Sequence, residues 1–466
     1  MKKTTVILGI MLLIISLSCT KTETADIAIT NVTVIDVTGA PPKSGVTVLI
    51  TDNRISKIGK TKKTKLAGGV QIIEGSDKFL IPGFWEMYAH LGYSKDSWDL
   101  FIANGVTSLR VNLGFPDFHE WRKEISAGKL IGPRMIIASR LADGPTPGRQ
   151  YSPAHIHNEA EGRQFVRKAE EEGADFIKIG TYLSRVAYFA IIDEAKKQGI
   201  PFSGHVPLSV SAAEVSDAGQ KSIDHSYGVK IACSSKEEEF RKRLMELVPE
   251  LHARVKLYEE IDYSEQEAGE LFARLIKNST FVCPTLAVWS ELAFRGREEV
   301  ANDPRLEFVP SWKVDRWSQI AIELEKEELM ASLKSNRQKS LDIVGAMSRA
   351  GVELLAGTDT GTPYCIAGFS LHDELALFVR AGLSPLEALR TATYNPAKFF
   401  GKLDSMGTIE QGKVADLVLL DANPLEDIRN TQKIAAVVID GKILKKEELQ
   451  DILSQVEASA KKGNEE

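Results

Sequence analysis

Between residues 81 and 400, short apolar runs alternate with helix-length amphipathic stretches. This alternation constrains the fold more than any other feature of the chain. Phe176-Ile177-Lys178-Ile179 reads as a strand, and Val186 to Gln198 as a helix that Gly199 ends in the left-handed conformation. Ile200-Pro201-Phe202 then opens another strand, and Val352-Glu353-Leu354-Leu355 reads as one more. Ser384-Pro385-Leu386-Glu387 predicts a helix start: serine as cap, proline at the first helical position and glutamate closing a capping box. Repeated βα units build a parallel sheet, and about eight strands over roughly 320 residues favour closure into a (β/α)₈ barrel.

Strands are predicted at both ends of the chain as well. Residues 20–80 carry β-branched runs, among them Val46 to Ile50 and Ile55 to Ile58 on either side of Thr51-Asp52-Asn53-Arg54, a hairpin signal. In residues 401–446, Leu417 to Leu420 reads as a buried strand, and Asp440-Gly441 turns Val437-Val438-Ile439 back into Lys442-Ile443-Leu444. With 466 residues the chain exceeds one compact core. Residues 234–345 are highly charged and helical, an elaboration around the seventh strand that is either a lid or a solvated surface; Pro249 should kink or split its first helix. Segment 447–466 reads as a polar tail, and its end, Lys461 to Glu466, is expected to be disordered.

Residues 1–19 read as a secretory signal: two lysines, an apolar run from Val6 to Leu17, then Ser16-Leu17-Ser18-Cys19. A small residue before the cysteine resembles a lipobox and predicts lipidation of Cys19; the alternative is an ordinary signal with an incidental cysteine. The expected location is therefore outside the cytoplasm, lipid-anchored to a bacterial membrane and facing the periplasm or the cell surface. Cys233, Cys283 and Cys365 fit no zinc ribbon and are expected to be unpaired and buried. A net charge of −6 excludes an electrostatic footprint for nucleic acid.

Chemistry-bearing residues fall where strands end. His90 follows Phe79 to Trp85, Lys178 lies within its strand, His205 ends Ile200 to Gly204, His225 ends Ser222-Ile223-Asp224, and Asp359 ends Leu354 to Thr358. In a barrel all such ends meet at one rim. Imidazoles and a carboxylate there suit zinc or a related divalent ion. A lysine fits only if burial strips its proton, after which carbon dioxide can convert it to a carbamate, an anionic oxygen ligand. Otherwise the Lys178 ammonium pairs with Asp359 or Glu86.

The segments Ile81 to His90, Phe176-Ile177-Lys178, Ser203 to Pro207, Ser222 to His225, Ala356 to Asp359 and Gly407 to Val418 together resemble the amidohydrolase superfamily, in its imidazolonepropionase-related branch that also holds Xaa-Pro dipeptidases. The resemblance runs from about residue 26 to 445. It implies a small β-sandwich assembled from 20–80 and 401–446, packed on a metal-dependent barrel at 81–400. It implies a carboxylated Lys178 bridging two metals, His205 and His225 on one metal, and His90 with Asp359 on the other. Asp359 would also be the general base for a metal-activated water. His372 matches a family segment after the eighth strand and is a candidate metal or substrate contact. Two departures stand out: the family's first-strand His-x-His is Tyr88-Ala89-His90 here, and its second-strand acid is missing from Arg110-Val111-Asn112. Tyr88 thus becomes a candidate ligand or substrate contact. The implied activity is hydrolysis of carbon–nitrogen bonds in a small molecule or short peptide, with one or two ions per chain. The rival expectation is a surface-anchored binding protein on a barrel that has lost turnover. Oligomeric state stays open.

Overall fold

The computed structural model describes residues 22–91, 96–145, 154–247 and 250–462. Cys19 and the signal segment lie outside the described residues. Seven parallel strands stand in barrel order: Phe84–Ala89, Val106–Val111, Arg134–Asp143, Phe176–Ile179, Phe202–Gly204, Ser222–Asp224 and Phe281–Cys283. The predicted eighth strand is a single bridge, Val282 with Leu354, yet its backbone closes the ring. On one side Leu355 N–H donates to Val282 O and Val282 N–H to Glu353 O; on the other Met87 N–H donates to Ala356 O and Asp359 N–H to Tyr88 O. Gly357 permits this fit, since a Cβ there would lie 2.6 Å from Cys283 Sγ and 2.7 Å from Tyr88 N.

Local sequence explains the crossovers. Helix Arg185–Gln198 starts where the Ser184 hydroxyl accepts Ala187 N–H and stops at Gly199, φ 70°. Ser384 and Glu387 form the expected capping box on Pro385–Thr391. The apolar faces of such helices and the outer faces of the strands merge in one large core containing Ile177, Ile191, Val215, Ile223, Val282 and Leu375.

The two chain ends interleave in one mixed sheet of eight strands, the sheet domain expected from both ends of the chain. Phe79–Pro82 lies between Ile27–Val34 and Leu417–Leu420, and the hairpins turn at Asp52-Asn53 and Asp440-Gly441, all four at positive φ. The sheet encloses its own core of Ile29, Val48, Ile50, Leu80, Leu419 and Val438. Phe79–Pro82 passes through Gly83 directly into the first barrel strand.

The polar C-terminal segment is a helix, Lys446–Lys462, with Leu449, Val456 and Ala460 buried; residues 463–466 of the tail expected to be disordered lie outside the described residues. The charged stretch 234–345 holds the seventh strand and flanking helices besides its extra helices, which have their own cores around Phe240, Leu244 and Leu257 and around Trp317, Leu324 and Leu333. The first helix of that stretch is split as expected, into Glu237–Glu246 and Leu251–Glu260. Cys233, Cys283 and Cys365 are buried and free.

Candidate active site

At the carboxyl rim of the barrel, five of the sequence-predicted residues and Tyr88 form one cluster. Asp359 Oδ1 lies 3.1 Å from His90 Nε2. Tyr88 Oη lies 3.3 Å from His205 Nε2. The rings of His205 and His225 are 4.9 Å apart, those of Tyr88 and His225 4.8 Å. Lys178 Nζ sits over the Tyr88 ring, 4.2 Å from its centre.

The backbone is forced where these side chains emerge. His225 has φ 68° and ψ 151°, Asp359 has φ 56°, and Thr285, a β-branched residue, has φ 47°. Such conformations cost on the order of 1–3 kcal/mol each and cluster at functional sites. Gly204 has φ 145°, and a Cβ there would lie 2.3 Å from Ile179 O, so glycine is what lets His205 leave its strand toward the rim.

Each central imidazole is tethered at Nδ1. His205 Nδ1 is 2.7 Å from Thr181 Oγ1, and His225 Nδ1 is 2.7 Å from Thr285 Oγ1. Holding one ring nitrogen fixes the ring and commits Nε2 to the site, as metal-binding histidines require. Burial pushes His225 down to about 4, so it is a neutral imidazole, the form that donates a lone pair. Asp359 is held below the usual carboxylate value: burial alone would raise its pKa, but the hydrogen bond from His90, with the nearby Lys178, outweighs it.

Lys178 has a partner that was not among those expected. Its Nζ donates to Asp224 Oδ2 at 2.6 Å and to Asn112 Oδ1 at 3.2 Å, with neither Asp359 nor Glu86 as its partner. Arg110, fully buried, donates to the other Asp224 oxygen at 2.8 Å and to Ser222 Oγ at 2.6 Å. Asp224 thus carries one negative charge against two buried basic side chains, Arg110 and Lys178. Burial, opposed by Asp224 and reinforced by Arg110, lowers the Lys178 pKa. Glu86 lies below: its carboxylate accepts Tyr88 N–H and both Thr358 donors, and burial pushes its pKa up to about 8.

The donor set fits a divalent ion in part. Two imidazoles tethered at Nδ1 are half of a tetrahedral shell. Among the described residues no three His, Cys, Asp or Glu side chains already converge as a cage. Lys178 and Tyr88 stand beside these imidazoles, Tyr88 Oη 3.3 Å from His205 Nε2 and Lys178 Nζ 4.2 Å from the Tyr88 ring centre.

His372 is elsewhere. It lies buried on helix Phe369–Arg380, its Nδ1 2.9 Å from Thr431 Oγ1 and its ring edge-on to Phe84. It packs the helix to the barrel wall and takes no part in the cluster. Asn112, next to Val111 where the family's acid is missing, accepts a hydrogen bond from Lys178. Asp224, Arg110, Thr181 and Thr285 were not singled out by the sequence; Ser222 and Asp224 share a strand face, the one available hint.

Residues 101–444 match the amidohydrolase family. The ochratoxinase of Aspergillus niger is 24% identical over 425 residues, covering 77% of this chain and 73% of that protein. Among solved structures, a bottromycin amidohydrolase superposes with a TM-score of 0.71 at 23% identity, covering 93% of this chain and 90% of the other. A putative prolidase from Bifidobacterium longum gives 0.68 at 21%, covering 92% and 98%. These likenesses show a shared fold.

Proposed function

The chain belongs to the amidohydrolase family, a family of hydrolases, and we propose that it hydrolyses the carbon–nitrogen bond of an amide, in a dipeptide, another non-standard peptide or a cyclic amide. The observation that carries this reading is the convergence at one rim of Asp359, paired to His90, with His205 and His225, each tethered at Nδ1. The relatives named as amidohydrolase and prolidase agree with this substrate class.

Members of the family generally use a divalent metal. Lys178, His205 and His225 would hold one ion, zinc by donor chemistry, and His90 with Asp359 a second. Bound there, the ion supplies a Lewis acid that polarises a carbonyl and acidifies water. Lys178 joins this set as a carbamate: its deprotonated Nζ adds to carbon dioxide, an N–C bond forms, and the displaced N–H proton leaves to solvent. Asp359, ionised and steadied by His90, takes the proton from the attacking water and later returns it to the leaving nitrogen.

Tyr88 makes the two positions unequal. Its phenol is already engaged with His205 Nε2, and burial with the nearby Asp359 charge holds it protonated. A protonated phenol is a poor ligand. We therefore expect about one tightly held metal per chain after dialysis against metal-free buffer. Tyr88→His raises this toward two and raises turnover of a dipeptide panel on the same sample. Two tightly held ions in the wild type contradict the reading and make Tyr88 a phenolate ligand.

One observation favours a second reading. The 2.6 Å contact of Lys178 with Asp224 is what an unmodified ammonium makes, and a barrel built that way is a binding protein without turnover.

For location, the proposal is a lipid anchor at Cys19, from the small-residue exit of an apolar signal core. Stable membrane attachment needs two or more acyl chains. The wild type should partition into the detergent phase and Cys19→Ala should not; equal partitioning removes the anchor.

A further inference from the structure

The chain carries a net charge of −6, yet one stretch of it is strongly basic. From Arg54 to Leu66 there are six basic side chains and no acid. Two of the six are engaged: Arg54 donates to Gly412 O at 2.9 Å, and Lys57 pairs with Glu23 at 2.6 Å. The other four, Lys60, Lys62, Lys63 and Lys65, are exposed, and among the described residues they form no ion pair.

A short 3₁₀ turn, Thr61–Lys63, sets these four together between the strands Arg54–Lys60 and Lys65–Leu66. Thr64 closes the turn, donating its N–H to Thr61 O and its hydroxyl to Lys60 O, both at 3.1 Å. Thr61 Oγ1 fixes the turn to the sheet: it accepts the Asn31 N–H at 3.1 Å and lies 3.0 Å from Thr47 Oγ1. Four ammonium groups therefore stand on one well-held corner. Like charges so gathered repel one another, and a surface of opposite charge relieves that repulsion.

What this corner faces follows from the strand beside it. Thr22–Glu23 pairs in parallel with Lys65–Leu66, with Thr22 opposite Lys65. Thr22 is three residues from Cys19. Three residues span at most about 11 Å, however they are arranged. With a lipid on Cys19, the Lys65 backbone stays within about two Debye lengths of the head groups in physiological salt, and the long lysine stems close the gap. Charge alone would admit any polyanion; the short tether selects the bilayer.

We propose that Lys60, Lys62, Lys63 and Lys65 form a membrane-facing surface that binds the head groups of anionic phospholipids. A lipid anchor alone leaves a protein free to tumble about its tether, and this second contact fixes the face turned to the bilayer. The inference rests on the Cys19 anchor for its place at the membrane and on the lysine corner for its binding. Each lysine close to an anionic bilayer adds about fivefold to the partition coefficient, so four add about a few hundredfold.

The test uses the processed chain without its lipid-bearing cysteine, residues 20–466, which keeps every described element. It is sedimented with vesicles of phosphatidylcholine alone, or of phosphatidylcholine and phosphatidylglycerol in equal parts. The protein should co-sediment with the mixed vesicles, stay in solution with the neutral ones, and be released by high salt. Combining Lys60→Gln, Lys62→Gln, Lys63→Gln and Lys65→Gln should lower the partition coefficient about a hundredfold or more. Combining Lys129→Gln, Lys196→Gln, Lys277→Gln and Lys334→Gln, at exposed lysines elsewhere, should change it by less than about threefold. Should the first combination fail to fold, Lys62→Glu with Lys63→Glu, on the turn alone, carries the comparison. Equal sedimentation with mixed and neutral vesicles, or an equal loss in the second combination, overturns the surface and leaves the lysines as guards of a sheet edge. Retention on heparin without vesicle binding overturns it as well. Lysine-dependent vesicle binding, found beside equal detergent partitioning of wild type and Cys19→Ala, removes the anchor and keeps the surface.

Discussion

Asp359→Asn is expected to lower kcat for amide hydrolysis by about 10²–10⁴, or roughly 3–5 kcal/mol, the span of general-base assistance. Asparagine is the informative replacement for two structural reasons. Asp359 sits at φ 56°, a left-handed conformation that asparagine tolerates nearly as well as aspartate, so the end of the eighth segment keeps its path. The amide oxygen can still face His90 Nε2, now 3.1 Å from the carboxylate, so the pair is weakened in charge and not in shape. What is removed is the ability to take a proton. The set of Lys178, His205 and His225 does not include this carboxylate, so much of the metal should remain. Steady-state kinetics with metal analysis on the same preparation checks both halves. Turnover equal to wild type removes Asp359 from the role.

Much of this site could be read in advance because a barrel brings every strand's carboxyl end to the same rim. Once Phe176-Ile177-Lys178, Ser203-Gly204-His205 and Ser222-Ile223-Asp224-His225 are recognised as strand ends, their meeting follows from topology. Which inward-facing side chains touch is another matter, because it depends on the stagger between strands. Asp224 pairs with Ser222 along its own strand in a visible way, but its bonds to Lys178 and to Arg110, 46 and 114 residues away, come from the register of the closed ring. Thr181 and Thr285 lie in loops past the strands, and nothing local marks either as the tether of a histidine. His372 shows the converse error: order along the chain places it after the eighth strand, but the face its helix turns to Phe84 and Thr431 is set by packing. In the C-terminal helix, the spacing of Leu449, Val456 and Ala460 keeps a helical period that the surrounding lysines and glutamates obscured.

Lys178→Ala has the largest expected effect, loss of both tightly held metal and measurable turnover. Lys178 is 1% exposed and lies among Tyr88, Asn112 and Asp224. On the proposed reading its removal takes away the carbamate oxygen that completes the His205 and His225 pair. Arg110 still satisfies Asp224, so the barrel should survive: breaking a buried pair is costly mainly when the remaining charge is left alone. Partial recovery of metal with bicarbonate and a short-chain carboxylic acid would show that an oxygen anion at that place is what was lost.

The measurement that bears most directly on a metal-dependent hydrolase built at this rim is metal per chain, by mass spectrometry, together with turnover of a dipeptide panel, on wild type and Lys178→Ala prepared alike. The structure leads us to expect about one tightly held ion and measurable hydrolysis in the wild type, and neither in the variant. Full metal content in Lys178→Ala, or a wild type that holds metal and hydrolyses nothing in the panel, would contradict it and leave the Lys178–Asp224 pair as the buried strut of a binding protein.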